Sequence, residues 1–227
     1  MIKNFLDVIS LSKKKCLLPI KGNLKYATRE NFLGRIVAGY FSDATEICLL
    51  TKEAAEALCK AQNHFVENYA LSLIIYDAYR PIKAVQDFIA WALMPPAGEY
   101  ELMRKKIHYP KLEKNQLAKL GYIPSTISRH NYGNAVDVML ISIKDNQELP
   151  MGCPFDYFDK LSHISITVSE LGEKVWNNRR ILIDGMKLFD FEVYEEEFWH
   201  FDYYKREIPL PIDFDITKSL KNIGVNF

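Results

Sequence analysis

Excess charge is the first thing missing. The 227 residues carry 29 Lys and Arg against 29 Asp and Glu, a net charge of zero. No electrostatic footprint for nucleic acid or an anionic membrane therefore appears. Lys13-Lys14-Lys15 is a short basic run in mixed surroundings and reads as a solvated face. No apolar stretch approaches the ~18 residues of a bilayer span. Near the N-terminus an apolar patch is interrupted by Asp7, with no small-residue cleavage site after it, so no classical signal peptide is expected. A reducing, cytoplasmic home is the expectation, with export by another route left open. The four cysteines, Cys16, Cys48, Cys59 and Cys153, have no metal-ligand spacing and read as free, buried thiols. Internal repeats and low-complexity linkers are missing too, which favours one domain over residues 1–227.

What is present is an ordinary globular composition, 48% apolar and 26% charged, long enough to bury a real core. Residues 1–45 read as mostly irregular, with short strand pieces. Thr51 is placed to cap a helix of about four turns in which Ala54, Leu58, Ala61 and Phe65 share a face. Leu71 to Tyr76 is a buried strand ending in Asp77-Ala78-Tyr79-Arg80-Pro81, and Pro81 fits the first position of a second helix. Pro95-Pro96-Ala97-Gly98 breaks that helix, and 101–127 reads as a mixed segment. A strand follows over 135–143. Thr167 and Glu170 form a capping box for one helix whose face carries Leu171, Val175, Leu182, Met186 and Phe189. Phe191–Tyr194 and Trp199–Tyr204 read as strands joined by an acidic turn, and the whole suggests an α+β enzyme.

The chemistry gathers in two stretches. In Ser128-Arg129-His130-Asn131-Tyr132-Gly133-Asn134-Ala135-Val136-Asp137, an imidazole and a carboxylate lie across a Gly turn that opens into a strand. That pair suits zinc, whose catalytic sites use three protein ligands and an open fourth position. A third ligand is sought in Glu197-Phe198-Trp199-His200. Residues three apart share a face on a helix but not on a straight strand. The segment is too β-rich for a helix, so Glu197 is assigned to the turn and His200 to the strand. His130, Asp137 and His200 would then form the metal site, with Glu197 as general base. Taken singly, each signal has a bland explanation: a packed core histidine, a locally bonded aspartate, a solvated acidic turn. Arg80, at a strand-to-helix junction, fits either a functional role or a local pair with Asp77.

Together, Tyr79-Arg80-Pro81, Ser128-x-His130-x-x-Gly133-x-Ala135-x-Asp137, Met151-Gly152-x-x-Phe155-Asp156 and Glu197-x-Trp199-His200 resemble the zinc D-alanyl-D-alanine dipeptidases, within the wider zinc D,D-peptidase group. Lys25-Tyr26-Ala27-Thr28 with Asn31-Phe32-x-Gly34, and Asn178-Arg179-Arg180 with Met186, look like the same family, so the resemblance runs from about residue 24 to 204. It implies a mainly antiparallel sheet flanked by helices, with one Zn2+ per chain at the sheet centre. Residues 1–23 would be an N-terminal extension and 205–227 a C-terminal tail. His130, Asp137 and His200 match the zinc ligands, Glu197 the catalytic base, and Arg80 the arginine that stabilises charge on the scissile carbonyl oxygen. Tyr26, Ser128 and Asp156 match residues that hold the dipeptide, and Phe88 matches a pocket wall.

The implied substrate is D-alanyl-D-alanine or a close D-dipeptide. No nucleic-acid or membrane partner is implied, and a homo-oligomer is left open. Three positions depart from the family pattern. Arg129 stands where a second Ser is common, Phe198 where Trp is frequent, and Asp190 where a Gly is usual before Phe191. Arg129 and Phe198 are expected beside the pocket, where they bear on substrate preference. The rival readings are a D,D- or L,D-carboxypeptidase acting on longer wall peptides and a non-catalytic D-peptide-binding module.

Overall fold

The computed structural model describes residues 4–204, 211 and 213–217. In chain order its elements are β1 (Phe5–Asp7), α1 (Val8–Lys15), β2 (Lys21–Gly22), β3 (Leu49–Thr51), α2 (Lys52–Tyr69), β4 (Leu71–Asp77), α3 (Ile82–Leu93), α4 (Glu99–His108), β5 (Ala135–Ser142), α5 (Val168–Leu171), α6 (Glu173–Lys187), β6 (Phe191–Tyr194) and β7 (Glu197–Tyr203), with short 3-10 turns between some of them. Five strands form the main sheet in the order β2-β4-β5-β7-β6, and β1 pairs with β3 in a small second sheet. Only β2 and β4 run parallel in the main sheet; the other three pairings are antiparallel. The fold is therefore α+β with a mainly antiparallel sheet and helices beside it. Among the described residues, no helix is long and apolar enough to cross a membrane.

β5 is the middle strand, buried along seven of its eight residues. It pairs with β4 on one side and β7 on the other, and the second ladder sets Asp137 opposite His200. The candidate metal site thus lies at the sheet centre. α2 packs Ala54, Leu58, Ala61 and Phe65 inward as the helical spacing predicts. Thr51 is its N-cap, but the Thr51 hydroxyl donates to Asn134 Oδ1 (2.7 Å) instead of capping the helix. Pro81 is the N-cap of α3, one place before the first helical residue expected of it.

Several elements differ from the sequence reading. The irregular N-terminal stretch contains α1, capped by Asp7, whose side chain accepts from the Ser10 amide. Phe5, Val8 and Ile20 from this stretch enter the same buried cluster as the rest of the core. Lys13, Lys14 and Lys15 are exposed in the last turn of α1. The mixed segment contains α4, which buries Glu101 and His108 rather than an apolar stripe. The expected single helix after Thr167 is two, because Gly172 at φ 80° ends α5 before α6 begins. All four cysteines are free, Cys48 and Cys59 buried, Cys16 and Cys153 only partly so. Of the expected 205–227 tail, all but residues 211 and 213–217 lies outside the described residues.

Candidate active site

Two backbone devices position the ligands. His130 sits in a 3-10 turn, Arg129–Tyr132, capped by Ser128: the Ser128 Oγ accepts from the His130 amide, and the Ser128 amide donates to Asn131 Oδ1. Gly133 closes this turn at φ 70°, and a Cβ there would lie 2.3 Å from the Phe5 ring. The chain then enters β5 and delivers Asp137. The second device is an irregularity in the β6–β7 ladder: Val193 pairs with Phe201, while its neighbour Tyr194 pairs with Glu197. Glu197 is the first residue of β7, not part of the turn. The slip lets Glu197 and His200 reach one pocket although strict alternation would send them to opposite faces. Glu197 Oε2 lies 4.0 Å from His200 Nδ1.

The donor atoms form a compact triangle. His130 Nε2 is 3.1 Å from His200 Nδ1 and 3.4 Å from Asp137 Oδ1, and His200 Nδ1 is 3.0 Å from that oxygen. Tetrahedral bonds of about 2.0–2.1 Å separate neighbouring ligand atoms by about 3.3 Å, so this triangle fits zinc. The remaining ring nitrogens are engaged. His130 Nδ1–H donates to the Ala78 carbonyl (2.6 Å) and His200 Nε2–H to Asp202 Oδ1 (3.3 Å), which turns the other nitrogen of each ring toward the site.

Charge is concentrated around the triangle. Asp137 is buried, which disfavours its ionised form, yet the two imidazoles hold its pKa well below the carboxylate range. Burial also opposes charge on His200, but its bonds to Asp137 and Asp202 outweigh this and raise its pKa to about 10. Burial raises Glu197 to about 8; Asp137 adds to the effect, while His200 and Arg80 oppose it. Arg80 makes the local pair with Asp77 (Nε–Oδ2, 2.8 Å) and also lines the pocket, with Nη2 3.5 Å from Asp137 Oδ2. Tyr40 secures Asp77 from behind (2.7 Å).

All the expected site residues except His130 line a single cavity of about 230 Å³: Tyr26, Arg80, Phe88, Ser128, Asp137, Asp156, Glu197 and His200. His130 is fully buried behind it. The volume is below the ~300–1,000 Å³ typical of drug-sized ligands. Phe32, Ile123 and Ile127 complete an apolar wall suited to small side chains. Asp156 stands at one end. Its Oδ1 accepts from the Tyr26 hydroxyl (3.2 Å), while Oδ2 is buried with no hydrogen-bond partner among the described residues. Burial, with the charges of Glu197 and Asp137, raises its pKa well above the ordinary value. Its backbone is left-handed (φ 58°), and its carbonyl accepts from His108 Nδ1 (3.0 Å).

Some participants escaped sequence reasoning. Asp202, which orients His200, lies two residues along the same strand, and period-two spacing would have put it on the same face. Tyr122 and Tyr194 also line the cavity, and neither belongs to a motif that marks it. One expectation is corrected: Phe198 does not flank the pocket but is fully buried, with the Arg179 guanidinium 4.0 Å from its ring centre. Arg129 does line the cavity.

The chain matches a family model described as Peptidase_M15, D-ala-D-ala dipeptidase, over residues 11–216. It is 34% identical over 192 residues to a D-alanyl-D-alanine dipeptidase of Enterococcus faecium, an alignment covering 85% of this chain and 89% of that one. It is 35% identical to the enzyme of that name from Enterococcus faecalis, covering 80% and 85% of the two chains. The Streptomyces coelicolor dipeptidase is 32% identical, covering 87% and 93%.

Proposed function

The chain belongs to the M15 D-Ala-D-Ala dipeptidase family, and from that premise we propose that it hydrolyses D-alanyl-D-alanine with one zinc ion held by His130, Asp137 and His200. This reading takes residues 1–227 as one catalytic domain. The observation that carries it is that one small cavity holds the donor triangle, a buried acid, a buried guanidinium and an unsatisfied carboxylate oxygen.

Zinc bound there supplies Lewis acidity, polarising the scissile carbonyl and lowering the pKa of water toward about 7. The protein's own groups do the rest. Glu197 takes the proton of the attacking water and returns it to the leaving amine, the role its position beside the ligands suits. Arg80 is held by Asp77 and Asp137 and lines the cavity, which places its guanidinium for the charge developing on the carbonyl oxygen. Asp156 and Tyr26 receive the substrate ammonium, which gives Oδ2 its missing partner. Ser128 contacts the substrate from the His130 turn, and Phe88 with Phe32 limits side-chain size. This closed ammonium end favours a dipeptidase over a carboxypeptidase, whose longer substrates have no free amine at that point.

The test is D-alanine release from D-Ala-D-Ala by the purified protein, before and after chelation and with zinc restored. Release that chelation abolishes and zinc recovers supports the reading. No release with about one bound zinc per chain refutes it, and turnover of N-acylated tripeptides alone would favour the carboxypeptidase.

A further inference from the structure

A D-dipeptide carries two charges, and the proposed function accounts for only one. The cavity lining contains four carboxylates, Asp137, Asp156, Glu197 and Asp202, but two guanidiniums, Arg80 and Arg129. Arg80 is buried and held by Asp77 and Asp137. Arg129 is different: its side chain is 32% exposed, and its ion pair with Asp202 is stretched to 4.0 Å. Asp202 is already engaged at both oxygens, accepting from His200 Nε2 at Oδ1 and from the Tyr204 hydroxyl at Oδ2. The Arg129 guanidinium carbon lies 4.7 Å from the centre of the Tyr204 ring, a contact that steadies the group while leaving its N–H edges available.

The two charged groups have different neighbours. Asp156 keeps company with Tyr26, Glu197, Asp137 and Arg80. Arg129 is grouped with Asp202, Tyr204 and the far side of His200. His200 links the two groups of neighbours, bonding Asp137 through Nδ1 and Asp202 through Nε2. An extended dipeptide spans about 7 Å, so an ammonium at Asp156 with the scissile carbonyl near the triangle sends the α-carboxylate toward the Arg129 end. Guanidinium is the group whose paired N–H donors match a carboxylate.

We propose that Arg129 is a specificity-determining residue that receives the substrate's free α-carboxylate, so that Asp156 and Arg129 gauge a dipeptide from its two ends. This rests on the dipeptidase reading. It makes the enzyme selective against substrates whose C-terminus is amidated or extended, a property the metal site and the ammonium end do not supply.

The test compares D-Ala-D-Ala with D-alanyl-D-alaninamide in zinc-loaded wild type, Arg129→Ser and Arg129→Lys. A charge-assisted bond of this kind corresponds to a preference for the acid of about tenfold or more in kcat/KM. In Arg129→Ser that preference collapses toward one, chiefly through KM on the acid, and Arg129→Lys restores part of it. If both substrates fall equally and the preference survives, Arg129 merely props Asp202 and Tyr204, and the proposal is overturned. A wild type that hydrolyses the acid without preferring it over the amide also overturns it, while the dipeptidase reading stands. A wild type that hydrolyses neither removes the dipeptidase reading, and this proposal with it.

Discussion

Asp156→Asn separates function from stability more cleanly than any other change at the site. Asp156 adopts φ 58°, a left-handed conformation that Asn tolerates and most residues do not. The amide also preserves the shape of the carboxyl and an acceptor for the Tyr26 hydroxyl, so the substitution removes mainly charge. A hydrogen bond between ammonium and carboxylate is worth about 1.5–3 kcal/mol, and kcat/KM for D-Ala-D-Ala is expected to fall about 10- to 150-fold. Stability should move the other way. Burial raises the folded-state pKa above the ordinary 3.8, so once pH exceeds that value the ionised carboxylate weighs against the folded chain, increasingly as pH climbs toward the folded pKa. Asn removes this penalty, and Tm at neutral pH should hold or rise. The assay is steady-state kinetics on the free dipeptide beside a thermal melt of the same preparation. Wild-type kcat/KM would place the ammonium elsewhere. A fall in activity matched by a fall in Tm would make Asp156 a structural brace, and the reasoning would fail.

Other consequences can be checked separately. Glu197→Gln should keep zinc, measured by metal analysis, yet lose about 10²–10⁴ of turnover, whereas His200→Ala should lose the metal itself; near-normal turnover in the Gln variant removes Glu197 from the mechanism. Gly133→Ala should cost about 2 kcal/mol or more in chemical denaturation, because a left-handed non-glycine residue is strained and its Cβ meets the Phe5 ring; an unchanged denaturation midpoint would contradict this. His108 is buried and kept neutral, its pKa lowered to about 4 by burial and by the Arg104 charge. The unfolded chain, with its pKa near 6.5, takes the proton first, so this residue's contribution to stability is lost as pH falls from about 6.5 to about 4. His108→Gln lacks that titration, and the wild type should lose up to about 3 kcal/mol relative to it across this window; parallel stability curves for the two proteins would disprove the assignment.

Much of the site was legible because its signals are local. The His130-to-Asp137 spacing, the Gly133 turn and the opening of β5 are all written within ten residues, and the structure assembles them as that pattern implies. The fold was less legible wherever the buried face is polar. α4 has no apolar stripe because it is anchored by Glu101, which accepts from Trp91 Nε1 and pairs with Lys114, and by His108, which reaches the Asp156 carbonyl. Periodicity arguments weigh apolar residues and pass over such a helix. α1 is short and buries only Val8, Ile9 and Ser12, too little for a periodic signal. The assignment of Glu197 to the turn followed correctly from alternation; what it lacked was the slip in the β6–β7 ladder, which depends on pairing with another strand.

The electrostatics give these separate pieces a common logic. Five carboxylates, Asp77, Asp137, Asp156, Glu197 and Asp202, converge on a site with two guanidiniums, Arg80 and Arg129. Without a metal, Glu197 rises to about 8 and His200 to about 10, while the imidazoles hold Asp137 low. A dication held by His130, Asp137 and His200 would take the place of the His200 proton, so its binding would release protons. On the proposed reading the substrate ammonium would offset the negative charge at Asp156, where Oδ2 has no partner among the described residues. Burial holds Asp156 and Glu197 above their ordinary pKa, a cost to the folded chain that a bound metal and a substrate ammonium would offset, whereas Asp137, held low by the two imidazoles, carries no such cost.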